Sequence, residues 1–174
     1  MERPGKRSYY LAIAKSVSQR STCLRKHWGA VIVKDDVIVS TGYNGAPRGC
    51  TNCSDLNTCW RAEHNIPRGT RYEVCRSNGV HAESNAIIAA ARERMIGSTM
   101  YVYGWDREAG TMVHNPDSCQ MCKRMIINAG IDEVVFAEDE FVNPKTGANN
   151  YKARRIKVET WVRDGAVEPN LEGY

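Results

Sequence analysis

The most constraining feature of the sequence is a polar start to an apolar helix. In the stretch VHAESNAIIAAA, the residues from Ala86 onward form the Ala/Ile run of a buried helix, whereas His81 and Glu83 occupy its first turn. Such groups are costly at a buried helix end unless they are paired or bind a metal. A Cys-x-x-Cys pair, Cys119 and Cys122, begins a second predicted helix. The two helices must meet at their N-termini if these residues share one ion.

The residue types at these positions are those of a catalytic zinc site. A catalytic zinc keeps three protein ligands, and His81, Cys119 and Cys122 supply two thiolates and an imidazole. Helix N-termini lower the pKa of thiols and so favour the thiolate. Glu83 is well placed to move the proton of a water at the open position. Alone, the histidine is more often a helix cap and the Cys-x-x-Cys more often structural or redox-active, but together they match zinc-dependent base deaminases.

The composition is that of an ordinary globular chain, with 42% hydrophobic and 25% charged residues. The 174 residues predict one domain, 1–174. No apolar run approaches the roughly 20 residues of a membrane span, and the N-terminal MERPGKRSYYLAIAK lacks the apolar core of a signal peptide. These features predict a cytoplasmic protein without a membrane partner. In that reducing compartment, seven cysteines indicate metal binding rather than a disulfide framework.

The order of predicted elements indicates an α/β fold, with a single three-layer α/β/α domain and a mixed central sheet. The predicted elements are a helix over 8–20, a hairpin of Ala30–Val33 and Val37–Ser40, a helix over about 81–95, a strand over 99–104, a helix over 119–129, a strand over 132–137 and a C-terminal helix over about 151–164. The last two strands flank a helix, which favours parallel pairing through a right-handed crossover. A polar, cysteine-rich insertion spans about 50–78.

Several blocks of the sequence resemble the cytidine/deoxycytidylate deaminase superfamily, and within it the deoxycytidylate (dCMP) deaminases of bacterial and phage type. The blocks are STCLRKHWGAVIV, STGYNGAPRG, NIPRGTRYEVCRS, HAESNAI and CKRMIINAGI, within a resemblance from about Arg3 to Ala137. The resemblance implies a cytidine deaminase-like fold, zinc on His81, Cys119 and Cys122, and Glu83 as proton shuttle. It implies hydrolysis of dCMP to dUMP and ammonia, a step toward thymidylate.

The resemblance also implies two substrate contacts. Asn44, in the loop GYNG, matches the position that contacts the sugar 3′-hydroxyl, and the backbone N–H of Ala82 would meet the pyrimidine carbonyl. The nucleotide phosphate needs charge-assisted donors, for which Arg25, Lys26 and Arg48 are candidates. Arg25 is preferred because it directly precedes the hairpin that leads to Asn44.

A second, structural zinc would order the insertion, which has little apolar content of its own. By resemblance, its ligands are four cysteines: Cys23, Cys53, Cys59 and Cys75. Cys50 in place of Cys53 is the main rival assignment, and His64 is a weaker one. The alternative is a polar loop whose thiols bind no metal.

One position departs from the family pattern. The family usually carries proline immediately before the first cysteine of the Cys-x-x-Cys pair, whereas this chain has Ser118 there and Pro116 two residues earlier. The backbone carbonyl at that position normally accepts a hydrogen bond from the substrate amino group. Any residue supplies a carbonyl, so the departure bears on loop rigidity and substrate fit.

The predicted partners are small molecules and further copies of the chain. The net charge is only +4, without a long basic run, which favours a small anionic ligand over nucleic acid. The resemblance implies a homo-oligomer, and specifically a hexamer. The segment GYNGAPRG resembles the loop that binds a dCTP activator or dTTP inhibitor in regulated members, although it also reads as a simple glycine-rich turn.

Two other functions fit the same residues. The first is a zinc deaminase acting on cytidine, a modified pyrimidine nucleotide or tRNA adenosine. The cysteine-rich insertion argues against the short free-nucleoside enzymes, and a tRNA enzyme would be expected to have a stronger basic face. The second is a non-catalytic, zinc-stabilised nucleotide-binding protein, which would have no use for Glu83 beside an open metal position.

Overall fold

Pairs of strands are separated by helices along the chain. The computed structural model describes residues 3–67, 70–71, 74–75, 79–144 and 147–167. Within these ranges the strands are β1 (Lys26–Lys34), β2 (Val37–Tyr43), β3 (Thr99–Asp106), β4 (Thr111–Met112), β5 (Glu133–Val142) and β6 (Asn149–Lys157). The helices there are α1 (Lys6–Ser18), α2 (Cys53–Leu56), α3 (Trp60–Glu63), α4 (Ala82–Ile88), α5 (Arg92–Met95), α6 (Gln120–Ala129) and α7 (Val158–Arg163).

The strands form one mixed sheet in the order β2-β1-β3-β5-β6, and β4 pairs with the end of β3. Strands β3 and β5 are parallel, with Thr99 opposite Glu133, and the other pairs are antiparallel. The predicted parallel pairing on either side of α6 is therefore confirmed. A helical crossover lets the chain return to the same edge of the sheet in the same direction.

The two faces of the sheet carry separate apolar clusters. In β1, Ala30 and Ile32 face one cluster while Val31 and Val33 face the other, as the two-residue period of a strand requires. Residues of α1 pack on the second face, and residues of α4, α5, α6 and α7 pack on the first. The sheet lies between two helical layers, which confirms the predicted three-layer α/β/α arrangement.

The β1–β2 hairpin turns where the sequence predicts. Asp35 and Asp36 have φ values of 50° and 65° and connect the strands directly. Such left-handed pairs match the twist of two-residue hairpins, and Asp tolerates them better than most residues. The Asp36 carboxylate also accepts a hydrogen bond from the Tyr10 hydroxyl at 2.7 Å and lies 2.7 Å from Nζ of Lys6. These contacts fasten α1 to the hairpin.

The predicted C-terminal helix over about 151–164 is wrong over most of its length. Residues Asn149–Lys157 form strand β6, antiparallel to β5, and only Val158–Arg163 is helical. Tyr151 and Ala153 pack against the α1 side of the sheet while Ile156 packs on the opposite side, an alternation that also fits a strand. Pairing with the exposed edge of β5 overrides the local helical pattern.

The predicted helix over about 81–95 is interrupted. It divides into α4 and α5, and Ala91 between them has extended backbone angles of φ −72° and ψ 142°. Parts of the predicted insertion over about 50–78, namely residues 68–69, 72–73 and 76–78, lie outside the described residues, as do residues 1–2 and 168–174 of the predicted domain. Among the described helices, none has the length and apolar character needed to cross a membrane.

Candidate metal centre and active site

Helix α4 is fixed on strand β2 by side-chain hydrogen bonds to backbone groups. The Ser40 hydroxyl donates to the carbonyl of Ala86 at 2.7 Å, and the Asn85 side-chain amide donates to the carbonyl of Tyr43 at 2.7 Å. His81 is the N-cap residue of α4, with extended backbone angles. The anchored helix therefore carries His81 to a defined point at the rim of the sheet.

Helix α6 begins at the Cys-x-x-Cys pair, as predicted. Cys119 is its N-cap, and the Cys119 sulfur accepts a hydrogen bond from the backbone N–H of Cys122 at 3.5 Å. Capping of a helix start by a side-chain acceptor satisfies one of the orphan N–H groups there. The helix ends at Gly130, whose φ of 78° is the left-handed conformation of a helix C-terminus. The two sulfurs therefore lie on one turn at the start of α6.

The two helix starts bring three metal-ligand atoms together. Nδ1 of His81 lies 3.4 Å from Sγ of Cys119 and 3.4 Å from Sγ of Cys122. Within the described ranges, His81, Cys119 and Cys122 form a group of possible metal ligands, and their three donor atoms all lie within 4.8 Å of one another. A tetrahedral ion bound at about 2.0–2.3 Å from each donor requires separations of this order.

The two cysteine thiols change each other's pKa, because they are hydrogen-bonded to each other. The hydrogen bond between the two thiols lowers the pKa of Cys119 and raises the pKa of Cys122, so that a Cys119 thiolate accepts from the Cys122 thiol. For His81, burial acts to lower the pKa, but the hydrogen bond with Cys119 and the charge of Glu83 outweigh it and the pKa is raised. A bound divalent cation would displace these protons.

Glu83 lies beside the ligand cluster and is almost completely enclosed. Its side chain belongs to a residue that is only 6% exposed, and the Ser118 hydroxyl donates to its Oε1 at 2.9 Å. Burial raises the pKa of Glu83, against the lowering effect of the charge on His81. A carboxyl group whose pKa is raised above its usual range binds a proton more readily than an exposed one.

A cavity of about 390 Å³ opens onto this cluster. It includes the predicted substrate contacts Asn44, Ala82 and Arg25, together with Lys26, whereas Arg48 is exposed and does not line it. The Asn44 side chain is fully buried, accepts from the backbone N–H of Trp28 at 2.7 Å and donates to the carbonyl of Lys26 at 3.0 Å. The cavity is large enough for a small-molecule ligand.

Sequence reasoning missed part of the cavity wall. Arg61, on α3, is 6% exposed and lines the cavity, and its guanidinium donates to the carbonyls of Pro67 at 2.5 Å and Thr70 at 2.7 Å. His114 lines it from the loop after β4. Neither residue belongs to a periodic pattern or a motif, so no local signal could have identified them.

The remaining cysteines divide into two groups. Four of them line the same cavity: Cys23, Cys53, Cys59 and Cys75. Among the described residues, the sulfur atoms of these four do not all lie within 4.8 Å of one another, as the donor atoms of the first cluster do. Cys50 is exposed and does not line the cavity. His64 is exposed and stacks on Trp60, with 4.0 Å between ring centroids. The structure thus separates Cys53 from its rival Cys50.

The sequence model of the cytidine and deoxycytidylate deaminase zinc-binding region matches residues 4–138. The chain belongs to this deaminase family. The match runs from before α1 into β5, and so includes both helix starts that carry the candidate ligands. The family resemblance read from the sequence blocks is therefore confirmed.

Individual relatives agree with the family assignment. The deoxycytidylate deaminase of Mycobacterium phage D29 is 38% identical over 142 residues, which are 80% of this chain and 99% of that protein. The deoxycytidylate deaminase of Schizosaccharomyces pombe is 34% identical over 134 residues, 77% of this chain, but this region is only 37% of the yeast protein. The apo crystal structure of the dCMP deaminase from cyanophage S-TIM5 superposes with a TM-score of 0.51 at 26% identity, covering 79% of this chain and 86% of that one. This likeness supports the cytidine deaminase-like fold.

Proposed function

We propose that this deaminase converts dCMP to dUMP and ammonia, a step that feeds thymidylate synthesis. The observation that carries the proposal is that Glu83, His81 and Cys119 line one cavity, with the buried Cys122 completing the group of three metal-ligand side chains. The chain matches 99% of the length of the deoxycytidylate deaminase of Mycobacterium phage D29, and this match supports dCMP as the substrate. In the reaction, water oxygen bonds to C4 of the cytosine ring, and the C4–N bond breaks to release ammonia.

His81, Cys119 and Cys122 are the proposed ligands of the catalytic zinc. Their donor set of one imidazole and two thiols, with all three donor atoms within 4.8 Å of one another, fits a zinc ion that needs three protein ligands. When bound, zinc lowers the pKa of a coordinated water and so supplies a nucleophile at neutral pH.

Glu83 moves the proton in this proposal. Its carboxylate accepts the proton of the attacking water, delivers it to N3 of the ring and then supports protonation of the leaving amine. Burial helps, because it raises the pKa of Glu83 and so favours uptake of the proton. Glu83 also lines the cavity, where it can reach a bound substrate.

Three further residues would orient the nucleotide. The backbone N–H of Ala82, in the first turn of α4, would donate to the pyrimidine carbonyl. Asn44 would contact the sugar 3′-hydroxyl from the opposite wall, and Arg25 would bind the phosphate. All three line the cavity, which supports these roles. The Arg25 side chain is 21% exposed, and its Nε lies 4.0 Å from Oε1 of Glu108, a distance longer than a close ion pair, which supports recruitment of its guanidinium by a ligand.

A second, structural zinc is proposed on the four thiols that line the cavity: Cys23, Cys53, Cys59 and Cys75. Two other predictions from the resemblance, a hexameric homo-oligomer and regulation by dCTP or dTTP, stand as proposals too. So do the predictions from length, composition and charge: a single domain over 1–174 and a cytoplasmic location without nucleic-acid partners.

The decisive experiment measures ammonia release from dCMP, CMP, deoxycytidine and dCTP in parallel, on protein whose zinc has been counted. We expect dCMP to be preferred. A Glu83→Gln variant should lose about 100-fold or more in kcat while keeping its zinc and fold, whereas Glu93→Gln, on the exposed surface of α5, should behave as wild type. No turnover of any substrate by zinc-loaded wild type would contradict the proposal, and full activity of Glu83→Gln would remove Glu83 from the mechanism.

A further inference from the structure

Ser118 makes a contact that the usual family residue could not make. It stands directly before Cys119, where related deaminases usually carry proline. The residue is 4% exposed, and its hydroxyl donates to Oε1 of Glu83 at 2.9 Å. Proline has no polar side-chain group. The departure from the family pattern therefore adds a bond between the two segments that carry the candidate metal ligands.

The loop that presents Ser118 is held by other contacts in place of a proline ring. The backbone N–H of Ser118 donates to Oδ1 of Asp117 at 2.9 Å, and Oδ2 of Asp117 lies 2.7 Å from Nζ of Lys123 on α6. The Arg154 guanidinium, on β6, donates to the carbonyl of Pro116. The Lys123 side chain is 11% exposed and that of Asp117 is 44% exposed, so water reaches this pair from the Asp117 side. The two residues that precede Ser118 are thus anchored to two different elements, α6 and β6.

A carboxylate that carries a proton between atoms needs a fixed orientation. The terminal torsion of a glutamate is broad, so burial alone does not select one orientation of its two oxygens. A hydrogen bond to an ionised acceptor is stronger than one between neutral groups and selects a direction. The Ser118 hydroxyl donates to Oε1 and so restricts rotation of the whole carboxylate, which fixes the direction of Oε2 as well.

We propose that Ser118 is a positioning residue that orients the Glu83 carboxylate for proton transfer. The inference rests on the proposed function, because it assigns Ser118 a role only through Glu83. If Ser118 were merely a turn residue, removal of its hydroxyl would alter the stability of the fold but would not lower kcat at an unchanged KM.

The test compares Ser118→Ala, Ser118→Thr and Ser16→Ala on the zinc-loaded chain. Ser16 is exposed on α1 and serves as the matched control for loss of a serine hydroxyl. We expect Ser118→Ala to lower kcat for dCMP about 10-fold with unchanged KM and zinc content, the size expected for one hydrogen bond to a charged group. Ser118→Thr, which keeps the hydroxyl, should recover most of kcat.

A second readout follows the carboxylate itself. With glutamate labelled with ¹³C at Cδ, the Glu83 signal is identified by its loss in Glu83→Gln. It should shift in Ser118→Ala and stay near the wild-type position in Ser118→Thr and Ser16→Ala. An unmoved signal in Ser118→Ala, or a moved signal with unchanged kcat, would overturn the inference. Failure of the proposed function is distinguished in the same assay, because wild type would then release no ammonia, and the inference would fall with it.

Discussion

A Cβ atom on Gly42 would lie 2.3 Å from the carbonyl oxygen of Ala82. It would also lie 2.3 Å from the amide nitrogen of Ala86, one turn further along the same helix. Both are backbone atoms, so no side-chain rotation can relieve the overlap. Helix α4 reaches its position on β2 because residue 42 has no side chain, and that position sets where His81 and Glu83 stand.

We therefore predict that Gly42→Ala displaces α4 from the sheet. The free energy of unfolding should fall by about 1–3 kcal/mol, as for other overpacked sites, and both zinc content and kcat should fall with it. Urea unfolding and metal analysis would measure these changes. Gly5→Ala is the control, because a Cβ there meets nothing within 4 Å. Wild-type stability and zinc content in Gly42→Ala would contradict this account of how α4 is placed.

The ligand cluster could be predicted from sequence because its chemistry imposes a pattern. His81 and Cys119 each begin a helix that follows an extended segment, and the structure brings both helix starts together. The parallel pairing of β3 and β5 was also predictable, because the intervening helix α6 is strongly amphipathic and ends at Gly130. These features depend on residues close together in the sequence.

The parts that were not predicted depend on distant partners. Tyr151, Ala153 and Ile156 fit both a helical and an alternating pattern, and only the edge of β5 selects the strand. Arg61 enters the cavity through loop contacts to Pro67 and Thr70, which no periodicity records. The bond from Ser118 to Glu83 lies where the predicted metal site already brings the two segments together, but it depends on the orientation of two side chains, which the sequence does not specify.

Zinc counting distinguishes the two assignments of the structural metal. We predict that the wild-type chain binds two zinc ions and that Cys53→Ser binds one, with lower thermal stability, because a closed thiolate site contributes directly to folding. Cys50→Ser should retain both ions, since Cys50 is exposed and does not line the cavity. Metal analysis after dialysis against a weak chelator provides the measurement. One zinc in the wild type, or equal loss in both variants, would contradict the four-cysteine site.

Removal of one buried hydroxyl should stabilise the chain. Tyr103 is 1% exposed, and within the described ranges its hydroxyl has no hydrogen-bond partner. Tyr103→Phe should therefore raise the free energy of unfolding by about 1 kcal/mol at pH 8, because it removes an unsatisfied polar group. Tyr10→Phe is the control with the opposite expected sign, since the Tyr10 hydroxyl donates to Asp36. Urea unfolding of both variants measures the difference.

The same substitution predicts a change in alkaline stability. Burial, with a contribution from the charge of Glu140, raises the pKa of Tyr103 from 10.0 to about 12. Because the folded chain holds this proton more tightly than the unfolded chain, the stabilisation is complete below pH 10 and is lost as the pH rises toward 12. Tyr103→Phe should lose less stability over this interval than wild type. An equal loss would mean that other groups account for the alkaline effect.

Arg25 and Arg48 were both candidates for binding the substrate phosphate, and the proposal assigns that contact to Arg25. Arg25 lines the cavity, whereas Arg48 is exposed outside it. We predict that Arg25→Ala raises KM for dCMP about 10-fold, the size expected for loss of one charge-assisted contact, without a matching change in kcat. Activity toward deoxycytidine, which has no phosphate, should be unaffected. Arg48→Ala should leave both substrates as in wild type, and the steady-state kinetics of the two variants provide the comparison.

The kinetics of these two variants also indicate which basic residue should be tested next for phosphate binding. If Arg25→Ala and Arg48→Ala both leave KM for dCMP unchanged, the assignment to Arg25 is wrong, and Lys26 becomes the next residue to replace. Lys26 lines the same cavity, and its Nζ lies 3.7 Å from the buried carboxylate of Asp106. A Lys26→Met variant would then raise KM for dCMP and not for deoxycytidine, because it would remove the ammonium that attracts the phosphate.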